Sequence, residues 1–134
     1  MDFNNTAPIF VQVMDYIKVQ VATGHFTSGQ KIPSIRDMSQ NLKLNPNTVG
    51  RAYQELERAG ITTTQRGLGV FVTENIGARL KEELSTSHIK LFLKEMNILG
   101  FDENQTLQAL ESYLANGNHQ KPSELSLEGK NGIL

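Results

Sequence analysis

Two helix starts follow each other closely in this chain, and they constrain its fold more than any other feature. Ser34 has a hydroxyl that can cap a helix, and Asp37 stands where the acid of a capping box belongs. Asn45 can cap a further helix whose first position is Pro46, where a missing N–H costs nothing. The sequence therefore predicts two short helices separated by a turn of a few residues, a helix-turn-helix.

An amphipathic helix is predicted ahead of this pair, from about Pro8 to Thr23, with Thr6 as its N-cap and Gly24 ending it. The two later helices show apolar side chains at the same helical spacing. The apolar positions of the second and third helices are Ile35, Met38, Leu42, Val49, Ala52, Tyr53 and Leu56. With the last four of these turned inward, the third helix presents a mainly polar face outward.

A β-hairpin is predicted directly behind the third helix, which closes at Gly60. Residues 61–64 (ITTT) are β-branched throughout, and residues 70–73 (VFVT) form a second β run. Residues 65–69 (QRGLG) form a glycine-bearing turn between them. A hairpin at this place makes the helix-turn-helix a winged one.

The rest of the chain predicts two more helices and a tail. Apolar stripes run from Ile76 to Leu99, with a break or offset near residues 85–87, and Asp102 starts another helix that ends at residues 116–117. Two antiparallel helices cannot bury both faces of these stripes by themselves. The fold class is thus mainly α with a small hairpin. The expected domains are a winged helix-turn-helix at 1–74, a two-helix dimerisation region at 75–117 and a flexible tail at 118–134.

Composition excludes several classes of protein. The absence of cysteine removes disulfides, Fe–S clusters and cysteine-ligated zinc. No apolar run approaches the roughly 18 residues of a membrane span, and the N-terminus lacks the pattern of a signal peptide, so we expect a cytoplasmic protein without a membrane partner. His25, His88 and His119 have no ligand companions at helical spacing. We expect neither an enzyme nor a cofactor.

The charge is unevenly distributed. The chain has 13 Lys and Arg against 14 Asp and Glu, a net charge of -1 that by itself argues against nucleic acid. Residues 28–58, however, hold five basic and three acidic side chains, whereas residues 75–134 hold six basic and eight acidic ones. The helix-turn-helix is therefore modestly basic, and the C-terminal helices are modestly acidic.

Candidate DNA contacts follow from how a winged helix binds, with its third helix in the major groove. Asn47 can pair with adenine, Thr48 can reach a base or phosphate, and Arg51 can address guanine or phosphate. The full candidate set is Arg36, Asn45, Asn47, Thr48, Arg51, Arg66 and Gly67. The alternative is a winged helix that binds another protein without DNA sequence specificity. The near-neutral charge favours that alternative, whereas the polar outward face counts against it.

Three motifs in this order resemble the DNA-binding domain of GntR-family bacterial transcription regulators. They are residues 33–38 (PSIRDM), 45–60 (NPNTVGRAYQELERAG) and 66–72 (RGLGVFV). The opening residues 8–13 (PIFVQV) resemble that family's first helix, and the short C-terminal part is similar to the small YtrA-type subfamily.

The resemblance implies a homodimeric transcription factor, usually a repressor, that binds double-stranded DNA. It places Arg36, Asn47, Thr48, Arg66 and Gly67 on family DNA-contact positions. Some members have arginine where this chain has Gly50, so that contact is absent here. Nothing after residue 74 has the size of the family's larger effector or aminotransferase domains, although a small-molecule effector could bind between the dimer helices.

Overall fold

The computed structural model describes residues 3–117, which form two compact units that divide after Glu82. The tail expected at residues 118–134, together with His119, lies outside the described residues. The helices are α1 (Ile9–Ala22), α2 (Ile35–Leu42), α3 (Pro46–Arg58), α4 (Gly77–Ile98) and α5 (Glu103–Ala115), and the strands are β1 (Thr62–Gln65) and β2 (Gly69–Val72). The predicted fold class, mainly α with a winged helix-turn-helix, is confirmed.

The start of α1 differs from the prediction. Pro8 occupies the N-cap position and no side chain caps the helix there. The Thr6 hydroxyl bonds instead to the Asn4 side chain, and Gln12 reaches back to the Asn4 and Ala7 carbonyls at 2.8 Å each. The Thr6 cap was therefore wrong, because a side chain from within the helix holds the preceding segment.

The helix-turn-helix forms as predicted. Ser34 Oγ accepts a hydrogen bond from the Asp37 N–H at 3.1 Å and caps α2. Lys43 ends α2 in a left-handed conformation. Asn45 Oδ1 then accepts from the Asn47 N–H at 2.8 Å and caps α3, with proline in its first turn. The two capping signals were sufficient to place both helices.

The hairpin pairs β1 with β2 in antiparallel register, with Thr63 opposite Phe71. The extended segment before α2 adds a third edge, since the Ile32 N–H donates to the Val70 carbonyl and the Val72 N–H donates to the Gln30 carbonyl, both at 2.9 Å. The wing is therefore joined by backbone bonds to the segment that leads into α2.

One core fills the first unit. Its buried apolar residues are Val13, Ile17, Val21, Ile32, Met38, Val49, Ala52, Tyr53, Leu56, Ile61, Val72, Ile76 and Leu80. The inward face predicted for α3 is confirmed in full. Ile35 is an exception on α2, since 37% of it is exposed. The apolar stripe predicts that Ile35 is buried, but as the first residue of the helix it lies at the rim of the core.

α4 is one uninterrupted helix, so the break expected at residues 85–87 was wrong. The Ser87 hydroxyl donates to the Glu83 carbonyl at 3.0 Å and is accommodated within the helix. The residues Ile76 and Leu80 belong to the first core. The division between the units thus falls after Glu82, and the boundary expected at 74/75 stays a prediction.

The second unit comprises the rest of α4 and α5. Asp102 and Gln105 form the predicted capping box, with Asp102 Oδ1 accepting from the Gln105 N–H at 2.8 Å. Many apolar side chains of this unit are exposed. They are Ile89, Leu91, Phe92, Leu93, Ile98, Leu99, Phe101, Leu107, Leu110, Tyr113 and Leu114. We call this set, which includes Leu99 and Phe101 in the turn between the helices, the apolar face of α4 and α5.

Candidate nucleic-acid interface

An open groove lies between the outer side of α3 and the hairpin. Its lining residues are Ile35, Pro46, Asn47, Gly50, Arg51, Tyr53, Gln54, Glu55, Glu57, Arg58, Thr64 and Val70. One wall comes from α2 and α3, and the other comes from β1 and β2. We call it the α3–wing groove.

The hairpin is held at this groove by α3 itself. Glu57 Oε1 accepts a hydrogen bond from the Thr64 backbone N–H at 3.0 Å. This bond satisfies a backbone donor on an exposed strand and ties the wing to α3 near its C-terminal end. The position of the wing relative to α3 therefore depends on a carboxylate whose role sequence reasoning did not identify.

The N-terminal end of α3 brings three candidate residues together. Asn47 is exposed and lines the groove, while Thr48 beside it is half-buried. The Asn45 side chain is engaged as the helix cap, as described above. A helix N-terminus with free N–H groups attracts anions such as phosphate, and here it carries uncharged polar side chains suited to base edges.

Arg51 is exposed and lines the groove, yet its guanidinium is not free. The guanidinium carbon lies 3.9 Å from the centroid of the Phe10 ring on α1. A planar cation stacked on an aromatic face is held in position while its N–H edges remain able to donate. Phe10 was not predicted, because two residues so distant in sequence give no local signal of their contact.

Arg36 lies beside the groove on α2, where it is exposed and adjacent to Ile35. The segment before it is fixed by Tyr53, whose hydroxyl donates to the Pro33 carbonyl at 2.6 Å. Burial, with a smaller contribution from the charge of Asp37, raises the pKa of Tyr53 well above its usual value. Tyr53 therefore remains a protonated donor at neutral pH.

Arg66 and Gly67 lie at the exposed tip of the hairpin, away from the groove lining. Gly67 has φ +78°, which favours glycine, and the Leu68 N–H closes the turn on the Gln65 carbonyl at 2.9 Å. Leu68 is 62% exposed at the same tip. This exposed apolar side chain is not among the contacts that the sequence predicted.

Lys31 is exposed, and its aliphatic chain crosses β2 so closely that a Cβ on Gly69 would lie 2.6 Å from Lys31 Cε. Gly69 therefore permits this close approach. The structure therefore places the positive charge of Lys31 against β2, at the Gly69 end of that strand.

Within residues 3–117, no group of three or more His, Asp or Glu side chains could hold a metal ion. His25 is exposed and bonds through Nδ1 to the Thr23 hydroxyl at 2.8 Å. In the same range, no helix is long and apolar enough to cross a bilayer.

Comparison with known proteins assigns these features to one family. The model of the bacterial regulatory proteins of the gntR family matches residues 10–72. The HTH-type transcriptional regulator YhcF of Bacillus subtilis is 35% identical over 117 residues, which cover 86% of this chain and 97% of that protein. The HTH-type transcriptional repressor YtrA of Bacillus subtilis is also 35% identical, over 85% of this chain and 87% of its own.

Solved structures agree with the sequence relatives. A GntR family transcriptional regulator from Listeria monocytogenes superposes with a TM-score of 0.74 at 31% identity, covering 82% of this chain and 98% of its own. The DNA-binding domain of AraR in complex with the operator ORR3 has a TM-score of 0.50 at 25% identity, over 55% of this chain and 88% of its own. The similarity thus extends over both the winged helix and the C-terminal helices.

Proposed function

The chain belongs to the gntR family of bacterial regulatory proteins, and so is a DNA-binding transcription regulator and not an enzyme. We propose that it binds a palindromic operator as a homodimer and represses transcription in the cytoplasm. The observation that carries this proposal is the α3–wing groove, an open channel beside the hairpin into which α3 places polar and charged side chains, with Asn47 and Arg51 at its N-terminal part.

In this mode α3 enters the major groove and the tip of the wing reaches the adjacent minor groove. Asn47 reads adenine, and Thr48 and Arg51 contact base edges or phosphate beside it. Arg36 and Asn45 lie against the sugar–phosphate backbone. Arg66 and Gly67 approach the minor groove, where glycine allows the backbone close to the duplex and negative potential attracts arginine.

The homodimer is supported by the apolar face of α4 and α5. A soluble monomer seldom exposes so many large apolar side chains on two neighbouring helices. A second copy would cover them, and a twofold dimer would present two reading helices to half-sites about one helical turn, or a multiple of it, apart. A small-molecule effector, if the protein has one, would then bind between the dimer helices.

Repression is supported by the relative named as a transcriptional repressor, YtrA, which is similar over most of both chains. A dimer bound across a promoter represses by excluding the transcription machinery. Repression of this kind requires only that the dimer occupy the DNA, and no catalytic step.

The direct test is a gel-shift titration of the full chain on its own promoter region and on shuffled duplexes of equal length. We expect binding that prefers the promoter and weakens steeply as salt rises, because phosphate contacts release counterions. Equal affinity for both duplexes would overturn the proposal and would favour the protein-interaction module instead.

Two substitutions separate positioning contacts from base reading. Arg66→Ala should weaken binding to most sequences alike and reduce the salt dependence, whereas Asn47→Ala should relax the choice at one base pair per half-site. The measurement is competition against duplexes changed at one base pair at a time. If both variants lost affinity equally on every duplex, the assignment of Asn47 to base reading would be wrong.

A further inference from the structure

A gap in the outer face of α3 lies at Gly50, within the α3–wing groove. Asn47 lies about one turn before it and Gln54 about one turn after it, and both are exposed. A Cβ built on Gly50 would meet a single side-chain atom within 4 Å, Cδ1 of Ile35, at 3.9 Å. The gap therefore opens to the groove and has an apolar side.

Ile35 provides that apolar side, and hydrogen bonds hold the backbone around it. It is 37% exposed at the first position of α2, and its carbonyl accepts a hydrogen bond from the Ser39 hydroxyl at 2.5 Å. The cap at Ser34 and the bond from Tyr53 to Pro33 fix the chain just before it. Covering an exposed isoleucine with an apolar group lowers the free energy, because both apolar surfaces leave water.

We propose that Ile35 and Gly50 form a receptor for the 5-methyl group of a thymine, which makes the protein select thymine at one position in each half-site. The proposal rests on the proposed function, because it requires α3 to lie in the major groove. Thymine alone among the four bases presents a methyl group there, and apolar side chains recognise it by contact. Gly50 leaves room for the methyl group, and Ile35 covers it.

The geometry also favours thymine over the purines at this position. A guanine or an adenine edge presents polar atoms that would lie against Ile35 without a partner, and such groups lose their hydration when buried. The hydrogen-bonding side chains stand to either side of the gap, on Asn47 and Gln54. The gap itself offers van der Waals contact.

The test begins with selection of binding sites from a random duplex library by the full-length protein. Each thymine of the selected duplex is then replaced in turn by 2′-deoxyuridine, which removes only the methyl group. We expect one replacement per half-site to weaken binding about threefold to fivefold, the effect of uncovering one methyl group. The affinity is measured by fluorescence anisotropy.

Two variants assign the effect to this gap. Gly50→Ala places a methyl group in the gap at an ordinary contact distance from Ile35, and alanine favours a helix over glycine, so the variant should melt no lower than the natural chain. It should bind the thymine duplex more weakly and lose the preference for thymine over deoxyuridine. Ile35→Ala should lose that preference as well, whereas Ile35→Val should keep most of it.

The outcomes distinguish this inference from the proposed function. If the library yields no preferred sequence, the proposed function itself fails. If a sequence is selected but every deoxyuridine duplex binds as tightly as its thymine counterpart, the methyl receptor is overturned while the proposed function stands. A thymine preference that persists in both Gly50→Ala and Ile35→Ala also overturns it.

Discussion

Tyr53 connects α3 to the segment just before α2. Its ring is buried in the core, and its hydroxyl donates to the Pro33 carbonyl at 2.6 Å. A buried hydroxyl is costly unless it is bonded, so this contact both satisfies the side chain and fixes where α2 begins. The raised pKa of Tyr53 keeps the donor protonated, because burial disfavours the phenolate.

Tyr53→Phe should lower the free energy of unfolding by about 1 kcal/mol at neutral pH, because it removes one buried hydrogen bond. In the unfolded chain this phenol ionises near pH 10, whereas in the folded chain its pKa is higher. Its contribution is therefore complete below pH 10 and is lost as the pH rises above that value. Urea denaturation of both proteins at pH 7 and pH 11 measures the effect. A difference as large at pH 11 as at pH 7 would contradict this assignment.

The stacking of Arg51 on Phe10 predicts a coupling between α1 and DNA affinity. Phe10→Leu keeps the apolar bulk but removes the aromatic face, so Arg51 must be ordered on binding. Immobilising one long side chain costs about 1 kcal/mol of binding free energy. We therefore expect the affinity for the selected duplex to fall by roughly threefold to tenfold. Fluorescence anisotropy measures the loss.

A double-mutant cycle provides the control for this prediction. In an Arg51→Ala background, Phe10→Leu should cost little further affinity, because the side chain that it orders is gone. An equal loss in both backgrounds would show that Phe10 acts through the core and not through Arg51.

At the scale of elements, the N-terminal end of α3 carries a structural cap at Asn45, which we propose also lies beside the DNA backbone. Asn45→Ala should lower the free energy of unfolding by about 1 kcal/mol, since it removes the acceptor of the Asn47 N–H. Asn45→Asp should keep the cap and the stability but weaken DNA binding, because a negative charge would then approach phosphate. Denaturation and duplex titration together measure both effects.

Asn45→Ser is the matched control, because serine caps as well as asparagine and adds no charge. It should retain the stability and, compared with Asn45→Asp, most of the affinity. If the aspartate variant bound DNA as tightly as the natural chain, Asn45 would be a cap and not a DNA-backbone neighbour.

The elements themselves could be predicted because their signals are local. Capping residues at Ser34, Asn45 and Asp102 mark helix starts through bonds to nearby backbone N–H groups. The uninterrupted course of α4 could not be predicted. Residues 85–87 suggested a break, but the Ser87 hydroxyl bonds to a carbonyl within the helix. Within the site, the outward face of α3 followed from its period, and the positions of Arg36 and Arg66 as exposed residues followed from the turns.

Contacts between distant residues could not be predicted from one sequence. The stacking of Arg51 on Phe10, the bond from Tyr53 to Pro33 and the bond from Thr64 to Glu57 each join separate elements. Periodicity identifies which face of a helix is polar but not which side chain it meets. For the same reason Ile35 was expected to point inward, although the structure leaves it at the groove.

At the scale of the whole molecule, two exposed leucines should separate dimerisation from DNA binding. Leu107 belongs to the apolar face of α4 and α5 and is 56% exposed, whereas Leu68 at the wing tip is 62% exposed. Leu107→Glu should convert a dimer into a monomer, because an unpaired charge buried between two copies costs several kcal/mol. Sedimentation equilibrium measures this change of mass.

Leu68→Glu is the matched control, since it makes the same chemical change on a leucine of similar exposure outside that face. It should leave the dimer intact while weakening DNA binding, because the new charge would approach phosphate at the wing. Leu107→Glu should instead lose affinity for the palindrome and keep its weaker affinity for a single half-site, as expected when two linked contacts become one. If Leu107→Glu sedimented as the natural chain does, the apolar face would not be the dimer interface, and a different surface would have to join the two reading helices.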